Sequence, residues 1–133
     1  MIVNQIAVFI ENKKGRLYEL TSALGSAGIN VLALSIADTH DFGIVRMVTG
    51  ENDRAVKVLK DAGFAASRAD LLAIEVEDRP NGLAEVLKVL DEGGVEIEYL
   101  YSFAKSEGKA KMLFKASDTE KAKEMLEKVI NDK

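Results

Sequence analysis

Asn12, Gly15 and Asn30 are the residues of this chain whose types and spacing best suit chemistry, and the chemistry is binding. Asn12 closes an apolar run, Gly15 lets the backbone approach a ligand closely, and an amphipathic helical pattern begins at Arg16. The unpaired N–H groups of a first helical turn, at the positive end of the helix dipole, suit a carboxylate. Asn30 stands just past Gly28 at the start of the next apolar run, and its amide both donates and accepts. An Asn carbonyl that accepts from an ammonium, beside backbone N–H groups that donate to a carboxylate, matches a free α-amino acid. Lys13, Lys14 and Arg16 form a small basic cluster that could hold one small anion. The same Asn and Gly residues also form turns with no ligand, so spacing alone leaves both readings open.

Catalytic patterns are scarce. His40 is the only His, between Thr39 and Asp41 in a short polar loop, and with no carboxylate or thiol pattern around it a solvated turn residue is expected. Thr21, Ser22 and Ser26 fall inside a helical pattern without a nucleophile elbow, and Glu92, Glu120, Glu124 and Glu127 fall where a solvated helix face is the default. Neither a phosphate-binding loop motif nor a dinucleotide fingerprint occurs. No catalytic residue, metal ligand or cofactor is therefore assigned. The absence of Cys excludes disulfides, thiolate catalysis and Cys-based metal sites.

The composition, 47% apolar and 30% charged, is that of an ordinary globular protein. A net charge of -4 argues against a nucleic-acid surface. No apolar run approaches the roughly 18 residues of a membrane span, and Met1 leads straight into a strand pattern, so a cytoplasmic protein without membrane partners is expected.

The elements that must position the Asn residues occur twice. ENKKGRLYELTSALGSAGINV, from Glu11 to Val31, returns as EDRPNGLAEVLKVLDEGGVEI from Glu77 to Ile97, and GIVRMV from Gly43 returns as GKAKML from Gly108. Ile6, Val8 and Ile10 alternate with Ala7 and Phe9, which predicts a strand apolar on both faces. Leu17, Leu20, Leu24 and Ala27 predict a helix ended by Gly28. Strands over 29–38 and 44–49 joined by a hairpin, a helix capped by Asp53 and ended at Gly63, and a closing strand over 64–69 complete the first copy. The second copy runs as strand 71–77, helix 83–90, strand 95–103, a hairpin turn over 105–108, strand 109–116, and a last helix through Ala122, Met125, Leu126, Val129 and Ile130. This is the order of a ferredoxin-like split βαβ unit used twice, an α+β fold of antiparallel sheets with helices on one face. The domains are expected at 1–69 and 70–133, the second lacking its own fourth strand. With no Pro/Ser-rich linker, the 64–77 segment is expected to run directly from the last strand of one copy into the first of the next. Units this small bury little apolar surface, and Ile97, Tyr99, Tyr101 and Phe103 read as one apolar stripe. Sheet-on-sheet packing or a homodimer is the expected cover.

EN-x-x-G-x-L with a helix ending in GIN resembles the ACT domain, the small amino-acid-binding regulatory module of metabolic enzymes, and DRPNGLAEVLKVL is similar to that family's D-R-P-G-x-L opening, with Asn81 in place of its Gly. The resemblance covers nearly the whole chain as two copies, like small stand-alone tandem ACT proteins. In the serine-sensing modules of this family an Asn of the first loop and an Asn after the helix-ending Gly hold the ligand across a two-fold interface, positions that match Asn12, and Asn30 with Val31. The resemblance thus implies a ligand site of Asn12, Lys13, Gly15, Arg16, Leu17, Asn30 and Val31 in a homodimer, with Arg16 or Lys13 supplying positive potential. Where a His often precedes the first Asn by two residues this chain has Ile10, and the loop Pro is Lys14, departures that favour a side chain less polar than serine. Asp78 and Glu96 replace the two Asn residues in the second copy, and carboxylates there would repel a ligand carboxylate. The expectation is a non-enzymatic regulator that binds a free amino acid through its first copy and modulates an unidentified metabolic enzyme. The alternative is a ligand-free interaction or dimerisation module that works by contact through Tyr99, Tyr101 and Phe103.

Overall fold

The computed structural model describes residues 2–38 and 41–131, so the turn reading of Thr39 and His40 lies outside the described residues. Ten elements follow in order: β1 (Ile2–Glu11), α1 (Arg16–Ser26), β2 (Val31–Asp38), β3 (Phe42–Thr49), α2 (Asn52–Asp61), β4 (Ala65–Glu77), α3 (Gly82–Glu92), β5 (Ile97–Ser106), β6 (Lys109–Ala116) and α4 (Thr119–Asn131). They divide into two compact units, residues 4–69 and residues 70–131 with Ile2 and Val3.

In the first unit the strands lie in the order β2-β3-β1-β4, and β3 runs antiparallel to both β1 and β2. This is the ferredoxin-like arrangement expected of the repeat: β1 and β2 are parallel, and β3 lies between them. Alternation dictates which face meets the helices. Ile6, Val8 and Ile10 of β1 and Val45 and Met47 of β3 join Leu20 and Leu24 of α1 and Ala55 and Leu59 of α2 in one buried cluster. Phe9, on the opposite face of β1, is half exposed, so β1 is buried on the helix side without being buried throughout.

The second unit repeats the plan with β4, β6 and β5 side by side and antiparallel. Leu72, Ile74 and Val76 of β4 and Phe114 of β6 pack with Leu90, Ala122 and Leu126 in its own core. β4 is a single strand of 13 residues from Ala65 to Glu77, so the last strand of the first copy runs into the first strand of the second without a linker.

Three local features differ from the sequence reading. The expected cap Asp53 lies inside the first turn of α2, whose N-cap is Glu51, and it pairs with Arg68 instead. The polar break is organised by Asn52, whose Oδ1 accepts from the Thr49 N–H at 3.0 Å and the Thr49 hydroxyl at 2.8 Å. The second hairpin closes at Glu107 and Gly108, both at positive φ (51° and 77°), which makes a two-residue turn that lets β5 reach Ser106. The stripe on β5 is broken by a register shift between Ile97 and Tyr99. An inserted residue reverses which face the following side chains take. Ile97 and Leu100 therefore pack on the core, while Tyr101 lies opposite Leu113 on the other face and the Phe103 ring sits 5.4 Å from the Lys111 amine.

No helix among the described residues is long and apolar enough to cross a membrane.

Candidate functional site

The Asn12 loop is built by short backbone hydrogen bonds. The Asn12 N–H donates to the Asp41 carbonyl at 3.1 Å, Lys13 N–H to Glu11 at 2.8 Å, and Arg16 N–H to Lys13 at 3.3 Å. Gly15 then caps α1 at φ 91°, a left-handed conformation that suits glycine, and no side chain caps the helix. Pairing of Glu11 with Phe42 brings the β2–β3 hairpin against the loop. A cleft of about 310 Å³ results, lined by Glu11, Asn12, Lys13, Asp41 and Phe42.

The cleft carries both signs of charge. Lys13 Nζ lies 2.8 Å from Glu11 Oε2, and this hydrogen bond, with the charge of the amine, holds the Glu11 carboxyl below its ordinary value. The Glu11 and Asp41 carboxylates offer partners to an ammonium, and the start of α1, which no side chain caps, offers one to a carboxylate. Sequence reasoning missed Glu11, Asp41 and Phe42. Their signal was the hairpin: in a split βαβ unit its tip lies beside the end of the first strand.

Arg16 is not among the lining residues, although its charge adds a smaller pull to that of Lys13 on Glu11. Its guanidinium stacks 4.5 Å from the Phe64 ring centroid, and Nη1 binds Glu19 Oε2 at 2.6 Å. It thus ties the first turn of α1 to the residue that precedes β4. Leu17 follows it on the same turn, a third exposed.

Asn30 and Val31 lie at the far end of the unit. The Asn30 carbonyl accepts from Gly50 at 3.2 Å and Val31 pairs with Thr49, whereas Asn12 adjoins the Phe42 end. The 11 residues of α1 separate them, about 16 Å at 1.5 Å per residue. Within one chain Asn12 and Asn30 do not meet.

The second copy reproduces this backbone bond for bond. Asp78 N–H donates to Gly108 at 2.8 Å, Arg79 to Glu77 at 2.9 Å, Gly82 to Arg79 at 3.0 Å, and Ser117 to the Glu96 carbonyl at 2.9 Å. Asn81 takes the place of Gly15 at φ 69°. Only the chemistry has changed, with Asp78 and Glu96 where the first copy has Asn12 and Asn30.

The model of the ACT domain pair matches residues 1–132. The chain belongs to the ACT domain pair family. Among solved structures, this ACT pair is similar to protein BT0572 from Bacteroides thetaiotaomicron at 41% identity, with 96% of this chain and 88% of that chain covered and a TM-score of 0.90. It shares its fold with the regulatory subunits of aspartate kinase from Thermus thermophilus (17% identity, 96% of each chain covered, TM-score 0.67) and Thermus flavus (18% identity, 98% and 95% covered, TM-score 0.66). No curated protein matches it.

Proposed function

We propose that this ACT pair is a regulatory protein that binds a free amino acid at the Asn12 loop and modulates a metabolic enzyme without catalysing a reaction. The carrying observation is that two loops with the same backbone hydrogen bonds differ in their ligating groups, and only the first combines Asn12, a paired Lys13–Glu11 and a glycine-capped helix start. Family membership supports the regulatory role, as does the likeness in fold to regulatory subunits of aspartate kinase.

The working form in this reading is a homodimer. β2 is an edge strand with the sequence VLALSIAD, free of Pro and Lys, and Leu32, Leu34 and Ile36 along it are 45%, 38% and 50% exposed. Such an edge is a template for pairing with another strand. Antiparallel pairing of two β2 strands about a two-fold axis carries Asn30 of the partner subunit toward the Asn12 end, which supplies the second Asn that one chain cannot. The ligand then acts by favouring one arrangement of the dimer.

The test is a thermal-shift screen of the wild type and Asn12→Ala against the twenty amino acids at about 1 mM. A ligand with a Kd of about 10 µM stabilises the folded state by about 2.7 kcal/mol at that concentration. A shift confined to one chemical class and lost in Asn12→Ala is the expected result. A flat screen would overturn the sensor in favour of a contact-only module, which the same exposed β2 edge would serve.

A further inference from the structure

We propose that the ligand carries an apolar side chain, held on a shelf of Leu17, Leu34 and Ile36; this rests on the reading of the Asn12 loop as an amino-acid site. Leu34 and Ile36 pair with Met47 and Val45, both fully buried under the helices, so they occupy the helix-covered face of the sheet. They are nevertheless 38% and 50% exposed, because β2 is the outermost strand and its rim extends past the cover. Leu17 precedes the buried Leu20 and Leu24 by three and seven residues, which aims it into the same layer, and it is 37% exposed.

The shelf lies at the correct end of the unit. Ile36 stands two residues before Asp38, whose partner Gly43 also pairs with Ile10, two residues from Asn12. Leu17 belongs to the helical turn that directly follows the loop, so helix and strand each bring an apolar side chain to the end of the unit where the loop lies.

The repeat supplies a control. Strand pairing sets the register of the repeat two residues beyond the GIVRMV–GKAKML match: Met112 and Phe114 hold the places of Val45 and Met47, so the matching residues of the second copy are Leu83, Leu100 and Ser102. There Leu83 and Leu100 pack against the core, and a serine stands where Ile36 projects. The exposed apolar shelf therefore accompanies the Asn residues and is missing where they are replaced. Each methylene that the shelf takes from water tightens binding by roughly fourfold.

Calorimetric titration of the full chain with alanine, 2-aminobutyrate, norvaline and serine tests this, beside Ile36→Ser, which copies the second unit and whose fold is checked by its thermal melt. The expected result is a Kd that falls about fourfold per methylene from alanine to norvaline in the wild type. The slope should flatten in Ile36→Ser, so that norvaline loses most of its advantage over alanine. Serine binding more tightly than norvaline, or an equal slope in Ile36→Ser, would overturn the shelf and leave the amino-acid site standing. Absence of binding by all four, together with a flat twenty-amino-acid screen, would overturn the site itself.

Discussion

Glu11 and Lys13 set the charge of the candidate cleft. Glu11 is held ionised by the Lys13 amine, so its folded midpoint lies below its unfolded one. The stabilisation this brings is complete above the ordinary Glu value and is lost as pH falls through the lowered midpoint. Both side chains are solvent-exposed, which keeps the effect on stability small, and the carboxyl resonance is the better readout. An NMR titration should place Glu11 below an ordinary Glu, and Lys13→Ala should raise it toward the ordinary value; an unchanged midpoint in the variant would remove Lys13 as the main cause. Arg16, by contrast, acts through packing. Loss of its stack on Phe64 should cost about 1 kcal/mol, so Arg16→Ala should lower the urea midpoint while the ligand-induced thermal shift of the wild type persists.

The turns that start α1 and α3 share their backbone hydrogen bonds but differ in how closely the first helical residue, Arg16 or Gly82, approaches the preceding strand. A β-carbon on Gly15 would touch nothing within 4 Å, so Gly15→Ala pays only for its φ of 91°, about 1–2 kcal/mol. Gly15→Asn should cost less, because Asn81 already holds the matching place at φ 69° and asparagine visits this region more readily. Gly82 is different: its β-carbon would lie 1.9 Å from the Glu77 carbonyl oxygen, so the start of α3 would have to move off the end of β4. Gly82→Ala is expected to lose about 1–3 kcal/mol or more, an overpacking penalty against backbone that cannot give way. Equal urea midpoints for Gly15→Ala and Gly82→Ala would refute this contrast.

At the scale of the whole molecule, the separation of Asn12 from Asn30 makes a shared site testable by mixing. Asn12→Ala and Asn30→Ala should each abolish ligand binding. Refolded together, they should form heterodimers in which one site keeps both Asn residues and the other keeps neither, so binding returns to about one site per heterodimer. Binding that stays absent in the mixture, with heterodimers present, would overturn the shared site. An arginine at Leu34, near the middle of the exposed β2 edge, should yield monomers by sedimentation without unfolding the unit.

What the sequence by itself determined is what neighbours along the chain decide. Ile6, Val8 and Ile10 lie on one side of a strand, and Leu20 and Leu24 on one side of a helix, because backbone geometry fixes those periods. The repeat follows from the same local signals, and so does the loop at Asn12, whose Gly15 announces a turn. The cleft around that loop was only half legible, since Asp41 and Phe42 reach it through strand pairing and Glu11 reads as a strand-end carboxylate. Other features rest on partners distant in sequence or on a single inserted residue. Arg16 finds Phe64, Asp53 finds Arg68, and the shift after Ile97 reverses a face that alternation alone would assign. The tertiary structure alone decided that Asn12 and Asn30 lie at opposite ends of the unit, because a helix between two parallel strands must travel the length of the sheet before the chain can turn back.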